Sequence, residues 1–351
     1  MKFLQTRARR WTLVVVVVAL LAAAAGVAWW MWPRPTTLQE AARLLPADMQ
    51  RVSFTDWAAI RAEQGVDDVS GEAGEALVAE ALDAELTNSA LAPSSAMLEQ
   101  GLGLNPLAAQ WEVLGQSKAG QVVILRTDES LAAVRTAITE LGFSEPDDDA
   151  TSGGVWQGGP DAIAEVSGLA TYELSHLAFL DDEGLLLGSD SPDFLATAVE
   201  VAQGDEDGLD QDDLMAAAGE PLTATVLLGE QACGELSMAK ADASARAETR
   251  RLVEEVGGVS PLTGYLVAIG PGGDLTVGFG FEDDEQAADD KGPRSALAKA
   301  EDPGQLLAYP EVFAFDSAEV DGSVLAIRGE LQPDAFPLSA LAAGPVLLAT
   351  C

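Results

Sequence analysis

The chain has 351 residues, with 57 Asp plus Glu against 19 Lys plus Arg, a formal net charge of −38 and a single His. With only five lysines it lacks the clustered cations that hold phosphate backbones or anionic lipid surfaces, which excludes nucleic acid as a partner. A hydrophobic content of 48% excludes a disordered or collagenous chain, and the length suits two domains or two repeats.

From Trp11 to Trp32 no side chain is charged, and a helix of about 22 residues would span roughly 33 Å, the thickness of a hydrocarbon core. Lys2, Arg7, Arg9 and Arg10 precede this stretch and set the topology, with the basic flank in the cytoplasm. Trp11 at one end and Trp29, Trp30 and Trp32 at the other take interfacial positions as membrane anchors. The expected layout is a basic tail over 1–10, a transmembrane helix over 11–32 and a stiff linker over 33–37, with the remainder outside the cytoplasm. The membrane is then one partner, and the location is the plasma membrane, single-pass. A cleaved signal peptide is the competing reading, since Ala22 to Ala25 offer small residues to a peptidase. Apolar sequence continuing through Val27, Ala28, Trp29 and Trp30 favours a retained anchor.

Beyond the linker, helical spacing runs over Thr37–Leu45, Pro46 stops it, and Arg51–Thr55 alternates as a strand. Asp56 can cap a helix over Trp57–Gln64, closed by Gly65. A longer helical stretch, Glu72 to about Leu102, is broken near Asn88 and Pro93. Strands follow near Ala109–Leu114 and Gln121–Arg126, then a helix over Ser130–Leu141 and a Gly- and Asp-rich loop from Asp147 to Gly159. Strands near Tyr172–Leu180 and Gly184–Leu187 and a helix over Pro192–Gln203 end the first half.

The second half repeats the order: helix Asp210–Ala218, strand Leu222–Leu228, helix Leu236–Val256, strands Gly264–Ile269 and Leu275–Phe281. Helix Glu285–Ala300, strands Val312–Ser317 and Val324–Leu331 and a helix near Asp334–Leu341 complete it. The expected fold class is α+β: an N-terminal transmembrane helix followed by a duplicated unit of antiparallel sheet covered by helices, with repeats over 38–204 and 205–351.

Two stretches carry a resemblance. Leu45, Pro46, Ala47, Asp48 leads into a strand, and Leu177 to Val201 reads as strand, Asp-Asp-Glu-Gly turn, strand, Gly-Ser-Asp, helix. Together they resemble an uncharacterised family of bacterial membrane-anchored extracytoplasmic proteins, a domain of unknown function. The resemblance implies that topology and supplies no activity.

Chemistry-bearing motifs are sparse. His176, between Ser175 and Leu177 in a strand, is a lone imidazole and reads as structural. One His and two distant Cys do not assemble a zinc site. Ser237 and Lys240 match S-x-x-K, but the companion K-T-G strand is missing and Ser189, Asp190, Ser191 comes before the motif rather than after it. The bland reading is that Ser237 caps a helix and Lys240 is solvated. Acidic runs at Asp147–Asp149, Asp181–Glu183, Asp205–Asp213 and Glu282–Asp290 lack the alternating spacing of a calcium loop and read as solvated loops and helix starts. Gly270, Gly272 and Gly273 join two strands, a hairpin turn rather than a phosphate cradle. No catalytic, cofactor or metal residue is assigned.

Cys233 and Cys351 are the two cysteines of a chain expected to lie outside the cytoplasm, and they are expected to pair as a disulfide. The reading of function is a non-catalytic, membrane-tethered cell-envelope protein, with no cofactor, whose partner is an unknown extracytoplasmic protein or envelope ligand. The alternative is a hydrolase of envelope glycan using two carboxylates beside Trp57, Trp111 or Trp156.

Overall fold

The computed structural model describes residues 34–167 and 171–351. Helix α1 (Thr37–Ala42) opens on a reciprocal cap, in which Thr36 Oγ1 accepts from Gln39 N and the Gln39 side chain accepts from Thr36 N. Asp56 caps α2 (Trp57–Gln64) through Ala59 N at 2.8 Å, and Gly65 ends it at φ 65°, where a Cβ would be strained. After α3 (Gly71–Asp83), α4 (Ser95–Leu102), α5 (Ala132–Glu140) and α6 (Pro160–Ser167), the first half closes with α7 (Pro192–Gln203). The second half holds α8 (Asp212–Ala217), α9 (Glu230–Gly234), α10 (Ala243–Glu255), α11 (Asp284–Leu297) and α12 (Pro337–Leu341).

The first half contributes strands β1 (Arg51–Thr55), β2 (Trp111–Gln116), β3 (Gln121–Arg126), β4 (Trp156–Gln157), β5 (His176–Leu180) and β6 (Leu185–Ser189). The second contributes β7 (Thr223–Leu228), β8 (Gly264–Ile269), β9 (Asp274–Gly280), the small pair β10 (Glu301–Asp302) and β11 (Leu307–Ala308), and the hairpin β12 (Phe313–Asp321) with β13 (Val324–Leu331). Apart from β10 and β11, all belong to one eleven-stranded antiparallel sheet. Read outward from the central β1–β7 pair, the order is β1-β2-β3-β6-β5 on one side, with the two-residue β4 added outside β5, and β7-β8-β9-β13-β12 on the other. The two halves carry the same strand order and share one sheet, and residues 36–351 form a single unit.

On one face α1, α7 and α8 pack Leu38, Leu195 and Leu214 onto Val52, Leu187, Val226 and Leu266, in one core that crosses the centre. The opposite face carries two cores. One, under α2 to α6, gathers Trp57, Leu77, Leu98 and Val134 over β2, β3 and β5; the other gathers Tyr265, Phe279, Leu297 and the tail Val346–Ala349 over β8, β9 and β13. Period-2 alternation along the central strands lets a single sheet serve both faces.

Several expectations are corrected. Among the described residues no helix is long and apolar enough to cross a membrane, so the transmembrane element of the expected fold class, the membrane partnership and the single-pass plasma-membrane location are withdrawn. The segment on which they were read, with Trp11, Trp29, Trp30 and Trp32 and the basic Lys2, Arg7, Arg9 and Arg10, lies outside the described residues. The single helix expected over Leu236–Val256 is instead a 3₁₀ turn, Met238–Lys240, followed by α10, because Asp242 turns extended and caps the new start through Ala245 N at 2.9 Å. The strand expected to stop at Ser317 runs on to Asp321, past a bulge between Phe315 and Ser317. Finally, α12 packs its Leu341 into the second-half core, on the face opposite to the one that α7 covers in the first half.

Candidate functional site

The polar centre of the molecule lies where the two cores of one face meet. Thr55 sits in the β1 ladder between Glu112 on β2 and Thr223 on β7, and Ser53 faces Thr225. Residues 85–92 lie along this seam. Glu85 accepts from Leu338 N at 2.6 Å and Ser339 N at 3.0 Å at the start of α12. Leu86 packs against both cores. Asn88 Nδ2 donates to Ala224 O at 2.8 Å and Thr225 Oγ1 at 2.9 Å, while Ser89 Oγ and Ala90 N donate to the Glu112 carboxylate at 2.5 and 2.8 Å. One segment thus fastens α12, β7 and β2 through polar bonds, consistent with the rule that buried polar groups are paired.

Glu112 is 2% exposed, and burial pushes its carboxyl above the usual range, against the lowering effect of the Ser89 hydroxyl and the backbone N–H donors. With the folded value above the unfolded one, the group favours the fold while protonated, and that contribution is lost as pH rises from the ordinary carboxylate range through the raised value. Gln at this position keeps an acceptor for Ser89 and Ala90 without a buried charge. Glu112→Gln is therefore expected to match the parent near pH 4 and to exceed its unfolding free energy above neutrality, by about 1.4 kcal/mol for each pH unit by which burial raises the carboxyl. Denaturant titrations of both proteins across pH 4–8 check this; a difference that does not grow with pH rejects it.

The sequence candidates are placed as follows. Ser237 Oγ accepts from Ala239 N at 3.2 Å, and Lys240 Nζ donates to Glu235 O at 2.8 Å, so the pair serves a surface turn rather than a nucleophile and its base. Ser237→Ala is expected to cost no more than about 1 kcal/mol, the value of a cap, and to leave fluorophosphonate labelling unchanged. His176 pairs with Ser189 in the β5–β6 ladder, and burial holds its imidazole below the usual value; Ser189 Oγ donates to Gln121 O at 2.6 Å. Among the acidic runs, Asp181 pairs with Arg135 at 2.7 Å, Asp212 pairs with Arg43, and Asp283 caps α11 through Gln286 N. No group of three or more potential ligands gathers as a metal site among the described residues. The loop through Asp205–Asp213 folds back on the segment that follows α1: Gly208 bridges Pro46, and a Cβ there would sit 2.0 Å from Arg43 O, so only glycine allows the approach. Gly272, at φ 70°, turns the β8–β9 hairpin and donates its N–H to Glu63 at 2.9 Å.

Cys233 and Cys351 are disulfide-bonded, as the sequence predicts. Beside them lies a second buried polar network. Asp302, fully buried, accepts from Tyr309 Oη at 2.6 Å, Leu347 N at 2.7 Å and Gly304 N at 2.8 Å, and burial raises the Tyr309 hydroxyl well above its usual value. Arg294, also fully buried, reaches Asp290 at 2.9 Å, Leu348 O at 2.5 Å, Ser260 O at 2.8 Å and Thr350 O at 3.1 Å, and stacks over Phe279 at 4.9 Å. These groups clasp the C-terminal tail.

A trough opens elsewhere, on the face of β9, β13 and β12 that no counterpart of α7 covers among the described residues. Its larger part is a cavity of about 500 Å³ bordered by Asp274, Thr276, Ala314, Asp316, Arg328 and Glu330, and a smaller one of about 190 Å³ beside it is bordered by Asp213, Glu319, Asp321 and Arg328. Arg328 lies between them, donating to Thr276 Oγ1 and to Ala217 O, both at 3.1 Å. Asp274 and Glu330 stand directly opposite each other in the β9–β13 ladder, like charges that repel. Sequence reasoning missed this site; its signal was the run of acids Asp316, Glu319 and Asp321, of which the last two fall beyond the strand end expected at Ser317.

No family model matches the chain, and no curated protein does. Among solved structures, the chain is similar to crystal form III of TP0453, with a TM-score of 0.39 and 7% identity over 86% of this chain and 95% of that one. Crystal form I of TP0453 gives a TM-score of 0.37 and 6% identity over 83% and 92%. This is a coarse likeness of shape and carries no functional argument.

Proposed function

We propose that residues 36–351 are a non-catalytic binding unit that works outside the cytoplasm, built from two copies of one α+β element over 38–204 and 205–351. The observation that carries the reading is the use made of the buried ionisable groups. Glu112 holds the seam, and Arg294, Asp290 and Asp302 hold the C-terminal tail, so each is engaged in packing rather than aimed into the open trough. The disulfide supports an oxidising compartment. The matching strand order of the two halves supports the duplication. For the glycan hydrolase, the three aromatic platforms it requires are buried: Trp57, Trp111 and Trp156 are at most 3% exposed.

The test is cross-linking of the full chain in its native cells, followed by assay of the purified protein on envelope glycan. A single stoichiometric partner, captured equally by Glu112→Gln and Ser237→Ala, is the expected result. Glycan cleavage by the parent that either substitution abolishes overturns the reading.

A further inference from the structure

The two ends of the sheet are finished differently. At the first-half edge, the outer side of β5 is taken by the chain itself: Trp156 pairs with Leu177 and Gln157 with His176, Ser152 bridges Leu180, and Gly153 N donates to Phe179 O at 2.9 Å. Helix α7 then covers the adjoining face, placing Phe194, Leu195 and Ala198 in one core with Ala178 and Leu187. At the second-half edge, β12 pairs with β13 alone, and among the described residues its nine-residue outer side makes no backbone hydrogen bond. The adjoining face is the open trough.

An edge of this length is a template for strand addition unless something blunts it. The turn Gly322–Ser323 joins Asp321 to its ladder partner Val324, and the alternation of an antiparallel ladder then turns the backbone groups of Val320 and Ala318 outward. Charge selects the occupant. Among the described residues, Asp274, Asp316, Glu319, Asp321 and Glu330 border the trough against one cation, Arg328, whose guanidinium donates to Thr276 and Ala217 and pairs with Glu319 at 3.9 Å, which leaves the acids in excess. A second copy of this chain would set the same acids of β12 against themselves, on top of a net charge of −38 per chain. A strand with cations at alternate positions would set them beside Asp316, Glu319 and Asp321 of β12.

We propose that the outer edge of β12 receives an extended segment of a partner protein carrying Lys or Arg at alternate positions, which adds to the sheet as β4 does at the other end. The proposal rests on the binding role above and names the chemistry of the partner.

The experiment uses the full chain and a labelled eight-residue peptide of alternating Lys and Val, with alternating Glu and Val as the control. Fluorescence anisotropy is expected to detect the Lys peptide and not the Glu peptide, and hydrogen exchange to show the amides of Ala318 and Val320 becoming protected on binding. Ala318→Pro with Val320→Pro, which removes the outward N–H groups, and separately Glu319→Lys with Asp321→Lys, which leaves the edge intact, should each weaken binding by about tenfold or more. Binding that both double variants leave unchanged, without protection of β12, means adsorption to an acidic surface and overturns the proposal, as does absence of binding. Concentration-dependent protection of the same amides in the protein alone assigns the edge to a second copy and also overturns it. A cross-linked partner that the proline variant still captures defeats the assignment to β12 while leaving the binding role in place; glycan cleavage defeats the binding role itself.

Discussion

Arg294→Met is expected to lower the unfolding free energy by about 3–5 kcal/mol, the cost of leaving one member of a buried ion pair behind. Arg294 projects from α11 one turn after Asp290, and both side chains are out of solvent, at 0% and 3% exposure. Its guanidinium does what an ammonium could not: three nitrogens in a fixed fork reach a carboxylate and the carbonyls of Ser260, Leu348 and Thr350 at once, while the plane lies over Phe279 and Phe281. Met fills much of the volume but leaves three carbonyls and Asp290 short of a donor, although Ser260 N still donates to that carboxylate. Arg294→Lys should recover the charge and lose the fork, and fall between the two. Asp290→Asn, which removes the charge and keeps the shape, should cost less than Arg294→Met, and the double variant should cost less than the sum. Urea denaturation of the parent and the four variants checks this; additive costs would mean that the pair is not coupled.

Where a local signal decides an element, the sequence was legible. The predicted Arg51–Thr55, Trp57–Gln64, Gln121–Arg126, Pro192–Gln203, Gly264–Ile269 and Val324–Leu331 are the observed limits. Asp56 and Gly65, or Ser191, Pro192 and Gly204, mark both ends of their helices with caps that need no tertiary contact. Elements that depend on a distant partner were not legible. The two-residue β4 exists because β5 offers it an edge, and α6 begins directly after the loop expected to end at Gly159, in a stretch to which the sequence reading assigns no element. The helix over Leu236–Val256 breaks although its periodicity continues, since Leu236 O is taken by Val346 N, 110 positions away.

The candidate site was less legible, for a related reason. Glu112 looks like any acid in a strand until Ser89 and Ala90 meet it, and the predicted break near Asn88 marks the segment that does so without naming its target. The acids of β12 have the alternation of a half-exposed strand, but Asp316, Glu319 and Asp321 carry the composition of a loop. What distinguishes them is that, among the described residues, no second strand lies beside them and no helix above, which only the topology reveals.

The disulfide carries the other large effect. Reducing it, or replacing both cysteines by Ala, is expected to lower the unfolding free energy by up to roughly 4–5 kcal/mol, the chain-entropy value for a long closed loop; the bonded residues are 118 positions apart. The native state has its own stake in the bond. Val346, Leu347, Leu348 and Ala349 are each fully buried in the second-half core. The tail is held by Leu236, Asp302, Tyr309 and Arg294 through backbone atoms of Val346, Leu347, Leu348 and Thr350, and Cys351 fixes its far end to α9. Reduction therefore leaves a protein that still folds but whose last turn opens more easily, and protease removal of the C-terminal residues should accelerate before global unfolding does. Because Arg294 bonds two carbonyls of that tail, Arg294→Met should cost less in the cysteine-free protein than in the parent, with a coupling of about 0.5–3 kcal/mol. Maleimide labelling of the unfolded, unreduced chain gives the direct check: two reactive thiols per chain reject the bridge, and a reduced protein as stable as the oxidised one rejects its energetic role.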